Sequence, residues 1–154
     1  MNHAAAPPRS LNRFAFDATV HCLTGCAIGE VLGMAISTAL GWHDLASIAI
    51  SIGLAFFFGY LLTIRLLRRG GLPLGRAART AVATDTISIT VMEIVDNLLL
   101  LVIPGAMAAG LADPLFWGSL AFSLAAAFLA TWPVNRWLIS RGRGHALMHD
   151  HTAG

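Results

Sequence analysis

The sequence has no lysine; its ten basic residues are all arginine. Charge as a whole is scarce. Only 12% of the 154 residues are charged, against about a quarter in ordinary soluble domains. That scarcity, with 56% hydrophobic residues and a mean hydropathy of +0.71, excludes an ordinary soluble globular domain. Cysteine is scarce too. The two present, Cys22 and Cys26, fall inside an apolar run, which excludes an extracellular disulfide framework. There is no glycine-rich nucleotide loop, no Ser/His/Asp arrangement on a water-accessible stretch and no separate soluble region to hold a substrate. An enzyme is therefore not expected, nor is a nucleic-acid partner. The polar start leads into a full apolar run without a small-residue cleavage site, so no cleaved signal peptide is expected.

What is present is four apolar runs. They predict an all-α polytopic membrane protein with four transmembrane helices, at roughly 16–40, 45–67, 80–103 and 115–138. Each has at least about 20 residues, enough for a ~30 Å hydrocarbon core. Helix is required because lipid offers backbone groups no other partner. The expected organisation is a tail over 1–14, a four-helix membrane domain over 15–138 and a second tail over 139–154. Gly41 to Asp44 reads as a tight turn with Asp44 as the N-cap of the second helix. Pro104-Gly105 ends or kinks the third run, and Asp113-Pro114 starts the fourth.

Arginine sets the expected orientation. Arg9 and Arg13 precede the first run. Arg65, Arg68, Arg69, Arg76 and Arg79 surround the middle loop, and Arg136, Arg141 and Arg143 close the fourth run. The other two loops carry none. The positive-inside rule then puts both termini and the middle loop in the cytoplasm. Trp42 and Trp117 fall at the outer interface, Trp132 and Trp137 at the inner one.

The apolar runs are interrupted in two places, and these carry the chemistry. In the first run Cys22, Cys26 and Glu30 are spaced i, i+4, i+8, and each step drifts only ~40° around a helix, so they share a face. Gly25, Gly29 and Gly33 lie on nearly the same face, a small-xxx-small pattern that admits another helix closely. His21 stands at its edge, stacked on Asp17 four residues earlier. In the third run Asp85, Met92 and Asp96 form one stripe, widened by Thr86, Thr90, Glu93 and Asn97. An acid at the centre of a membrane helix costs roughly 2.5–3.5 kcal/mol on insertion scales. Glu93 and Asp96 therefore need partners, water or a cation, and such acids commonly mark an ion or proton path. Asp17/Glu30 and Asp85/Glu93 occupy matching depths, which suggests two parallel helical-hairpin repeats.

By depth, Asp17 and Asp85 stand at the cytoplasmic mouth. His21, Cys22, Ser88 and Cys26 follow, and Glu30, Met92, Glu93 and Asp96 lie at the middle. Further out only hydroxyls are expected, Ser119 and Ser123 among them. Thiol, thioether, imidazole and carboxylate together suit copper or zinc, and His145, His149 and His151 form a short metal-gathering tract in the tail. The plain alternatives stay open: buried cysteines and Met92 pack as apolar side chains, His21 bonds Asp17, and the tail histidines are solvated.

His21 to Gly33, Thr84 to Asn97, Pro133 to Leu138 and Gly144-His145 together resemble a family of small four-helix bacterial inner-membrane proteins catalogued as a domain of unknown function, sometimes labelled copper oxidase. The resemblance covers about residues 15–145. It implies a multi-pass unit of the inner (cytoplasmic) membrane with a link to metal handling, and brings no established activity. The function expected is an oligomeric channel or transporter for a cation, copper or zinc first. Its ion pathway is Asp17, Asp85, Glu30, Glu93, Asp96 and Asn97; its metal ligands are His21, Cys22, Cys26, Met92 and the three tail histidines. Two alternatives are a proton or monovalent-cation channel and a non-transporting metal or redox module. Four helices rarely enclose a pore, so a dimer or larger ring is expected, held by the Gly25/Gly29/Gly33 face.

Overall fold

The computed structural model describes residues 10–141, and these form four helices: α1 (Leu11–Leu40), α2 (Asp44–Arg69), α3 (Leu74–Val102) and α4 (Pro114–Ser140). Among the described residues there is no strand. Ser10 caps α1, its side chain accepting from Arg13 N. Gly41 ends α1 at φ 67, a left-handed conformation that glycine adopts without strain. The N-cap of α2 is His43, not Asp44, which instead opens the helix, an acid in the first turn facing the positive end of the dipole. Asp113 caps α4 through Leu115 N, with Pro114 at the first helical position, as expected from the sequence. The Pro104-Gly105 pair lies beyond the end of α3, with Gly105 at φ 79.

The helices outrun the apolar segments. α1 starts at Leu11, α3 at Leu74 and α4 ends at Ser140. Arg76 and Arg79 therefore sit on the first turns of α3 rather than in a loop. Hydropathy marks the greasy part of a helix, while backbone hydrogen bonding carries it on into polar sequence.

Successive helices run antiparallel and pack in order, with α4 returning against α1 and with α1 and α3 meeting across the diagonal. The tightest seam joins α1 to α2. Cβ atoms built on Gly25, Gly29 and Gly33 would strike Gly59, Ala55 and Ser51 respectively, the first at 2.8 Å from Gly59 Cα. The glycine face expected between protomers is thus consumed within the chain. A small-xxx-small stripe says that a helix approaches, not whose helix.

The bundle is apolar outside and polar within. Phe57, Val82, Ile94, Leu98, Leu101, Phe122 and Leu129 are all more than half exposed, whereas Asp85, Ser88, Glu93, Asp96 and Asn135 are buried. Three helices, α1, α2 and α4, are long and apolar enough to cross a membrane. α3 is as long, but Asp85, Glu93 and Asp96 all fall within its most apolar stretch. The protein is thus membrane-associated.

Candidate functional site

The interior polar groups make one connected seam, built by the fourfold spacing of each helix. On α4 the buried side chains include Ser119, Ser123, Ala127, Thr131 and Asn135, each one step of four from the last. On α2 they are Ser51, Ala55, Gly59, Thr63 and Leu67. Small and hydroxyl-bearing residues on these ladders leave room for the larger polar groups of α1 and α3.

One end of the seam is an amide. Asn135 Nδ2 donates to Thr19 Oγ1 at 3.0 Å, while its Oδ1 accepts from Ser88 Oγ. One side chain thereby ties α4 to both α1 and α3. Thr19 in turn donates to Ala15 O at 2.6 Å. Close by, Asp85 Oδ1 accepts from Thr84 Oγ1 at 2.9 Å, with Thr63 of α2 beside it and His21 of α1 near enough for their charges to interact. His21 therefore stands near a second acid, on another helix, besides Asp17 on its own.

Next come the sulfurs. Cys22, Cys26 and Met92 are buried in one cluster with Ala55, Ile89 and Ala127. Both cysteines are free. Cys22 adjoins Ser88, and Cys26 adjoins the Glu93 carboxyl.

The seam then reaches three acids. Glu30 of α1 meets Glu93 and Asp96 of α3, with Asn97 alongside. The two buried glutamates thus meet inside a single chain. Asn97 Nδ2 donates to Glu93 Oε2 at 3.2 Å and to Glu93 O at 2.9 Å. Asp96 Oδ1 accepts from Ser123 Oγ. The remaining oxygens, Glu30 Oε1, Glu93 Oε1 and Asp96 Oδ2, are buried without a donor. An ionised carboxylate only accepts hydrogen bonds. Carboxyl groups in mutual contact, each with an oxygen lacking a donor from the protein, call for a shared proton, a cation or water between them.

Of the expected pathway residues, the structure brings together Glu30, Glu93, Asp96 and Asn97, with Asp85 further along. Asp17 lies outside the seam, on an exposed position of α1. The packed face of α1 there runs through Ala15, Ala18 and Thr19. Thr86 and Thr90 also face away, donating back to Val82 O and Thr86 O within α3. Ser123, expected in the outer half, instead meets Asp96. Of the expected metal ligands, Cys22, Cys26 and Met92 share one buried cluster, while His21 lies toward Asp85. Among the described residues no three His, Cys, Asp or Glu side chains are placed to share one metal ion. His145, His149 and His151 lie outside the described residues.

Asn135, Thr19 and Thr63 were not singled out from the sequence. Asn135 had a signal: an amide in an apolar helix, four residues after Thr131 and on the same face as Ser119 and Ser123.

An apolar exterior around an ionisable core defines a class, the small helical-bundle membrane-associated proteins with a polar interior. Within it, the chain belongs to the family described as a domain of unknown function (DUF4396), which matches residues 12–144. No curated protein and no solved structure matches the chain.

Proposed function

We propose that the protein is a proton-conducting membrane protein of the bacterial inner membrane, with Glu30, Glu93 and Asp96 as its central relay. The observation that carries this reading is the contact among three buried carboxyl groups whose outer oxygens lack donors. A proton satisfies that arrangement with no rearrangement and can pass from one carboxyl to the next. Asp85 and His21 extend the relay toward the end that bears the arginine-rich loop. In this reading α3 is a fourth span. Its acids face the core, and its outward positions from Val82 to Val102 are apolar apart from the internally bonded Thr90. Both termini then lie in the cytoplasm, as the arginines ask. Two or more copies assemble through exposed apolar faces other than the glycine stripe, and the α1/α3 correspondence reflects two parallel hairpin repeats.

A second reading, transfer of copper or zinc, draws support from one observation: three sulfurs share a buried cluster beside Glu93. It requires side chains to regroup around the ion.

The test is proton flux into liposomes carrying an entrapped pH dye, driven by a potassium diffusion potential. Wild type is expected to acidify or alkalinise the lumen with the sign of the potential. Glu30→Gln and Glu93→Gln are each expected to lower the rate at least tenfold with helicity unchanged. Wild-type rates equal to protein-free liposomes would sink the proposal.

A further inference from the structure

The five arginines around the α2–α3 connection do not lie in it. The turn itself is Gly70-Gly71-Leu72-Pro73 and carries no charge. Arg65, Arg68 and Arg69 stand on the last turns of α2, and Arg76 and Arg79 on the first turns of α3. All five are exposed. The turn between them is tightly tied. Gly71 N donates to Arg68 O at 3.0 Å and Leu72 N to Leu67 O at 3.1 Å. Leu72 is buried against Leu67, Ala77 and Ile64. The two helix ends that bear the arginines are thereby held in place.

Orientation in a membrane asks only for positive charge near this connection. The placement is more particular. On α2, Arg65 and Arg69 lie on the side away from the buried Thr63 and Leu67, and Leu61, one turn further into the bundle on that side, is exposed. On α3, Arg79 lies away from the buried Ala77 and Ala81, and exposed Val82 follows it by three residues. Each arginine cluster thus runs straight into outward apolar surface. Like charges three or four residues apart on a helix repel, as Arg65/Arg69 and Arg76/Arg79 do. Arg76 also stands on the first turn of α3, where the helix dipole disfavours a cation. These helices bring no anion to offset this. Their exposed acid is Asp44, at the opposite end of α2, while Asp85, Glu93 and Asp96 are buried. A fitting partner brings negative charge to the arginines and apolar substance to Leu61 and Val82. Free phosphate meets only the first need, and an uncharged lipid only the second. A nucleic acid or acidic protein reaches the arginines from water and leaves both apolar side chains uncovered. An anionic phospholipid meets both needs in one molecule.

We propose that Arg65, Arg69, Arg76 and Arg79 form a binding surface for anionic phospholipids, with the headgroup phosphates on the arginines and the acyl chains beside Leu61 and Val82. The proposal holds whether or not protons cross the membrane.

The experiment is native mass spectrometry of the full chain in detergent, offered equal amounts of dioleoyl phosphatidylglycerol and dioleoyl phosphatidylcholine. Wild type is expected to retain the anionic lipid at least about fivefold more than the zwitterionic one. Replacing Arg65, Arg69, Arg76 and Arg79 together by glutamine is expected to bring that preference below about twofold, with circular dichroism unchanged. Arg13→Gln with Arg141→Gln, two exposed arginines on other helices, is expected to keep most of it. Inorganic phosphate in excess is expected not to displace the lipid. Equal retention of the two lipids by wild type overturns the proposal, as does an unchanged preference in the four-arginine variant. An equal fall in the two-arginine variant marks general charge instead of this surface, and displacement by phosphate marks a free-anion site; either overturns it. If the four-arginine variant does not fold, wild type decides alone. Its preference is expected to fall severalfold when ammonium acetate is raised from about 0.1 to about 1 M, which shortens the screening length from about 10 to about 3 Å, and no change overturns the proposal. Proton flux without headgroup preference removes this surface and leaves the relay; preference without flux does the reverse.

Discussion

Helix α1 turns two faces to its neighbours, and they solve opposite problems. The face of Gly25, Gly29 and Gly33 meets α2 backbone to backbone, with nothing between them. The face of Cys22, Cys26 and Glu30 meets α3 through thiols and carboxyls, and leaves oxygens without donors. The first is packing carried to its limit; inside lipid, where there is no hydrophobic drive between helices, close contact is what holds them together. The second gives up stability, because buried polar groups without partners are costly. A chain that builds one seam so tightly can keep the other chemically incomplete.

The sharpest way to break this comparison is to give the tight seam a side chain. A Cβ on Gly29 meets Ala55 N and lies 2.6 Å from Ala55 Cα. Backbone cannot yield as a side-chain tip can, so Gly29→Leu is expected to prevent folding outright, beyond the about 1–3 kcal/mol of ordinary overpacking. Gly53, on α2 with open space around it, is the matched control. Gly53→Ala is expected to keep a wild-type melting temperature in detergent, or raise it slightly through helix propensity. Equal melting of Gly29→Leu and wild type by size-exclusion thermal challenge would mean that α1 and α2 do not meet as described.

A smaller effect is expected at the polar seam's closed end. Asn135 satisfies both its donor and its acceptor, joining three helices. Asn135→Ala strands Ser88 and Thr19 and opens a void, which should cost about 1–3 kcal/mol. The measurement is thermal unfolding in detergent, beside Ser140→Ala at the exposed end of α4. No difference between the two would remove Asn135 from the structural core.

How much of this could be read in the chain follows from what each residue announces. Four helices and the start of the last at Asp113-Pro114 come from local signals, while the N-cap of α2 is His43 and not the expected Asp44. The buried acids announced themselves because an acid in an apolar run is conspicuous. Partner identity was not local. Gly25/Gly29/Gly33 called for a close neighbour, and the neighbour was α2, recognisable only once Ser51, Ala55 and Gly59 are seen to be spaced by the same four. Asn135 gains its meaning on the ladder through Ser119, Ser123, Ala127 and Thr131, and only the fold pairs Ser123 with Asp96. Asp17, expected at the mouth of the path, stands on an exposed position of α1.

The finest division is within the α1–α3 seam itself, between its sulfurs and its carboxyls. Cys22 and Cys26 sit among Ala55, Ile89, Met92 and Ala127, an environment that an alanine fits. Replacing both by alanine removes two small, soft side chains and leaves Glu30, Glu93 and Asp96 with their contacts to Asn97 and Ser123. If protons are the cargo, Cys22→Ala with Cys26→Ala should change flux less than threefold and lower stability only modestly, since one sulfur atom of volume is lost at each site. If copper or zinc is the cargo, the same variant should lose both metal, measured by mass spectrometry on purified protein, and transport. Metal bound to wild type, absent from the variant and accompanied by loss of flux would move the working centre from the carboxyls to the thiols. Retained flux with no metal in either protein would leave the cysteines as packing between the closed end of the seam and its acids.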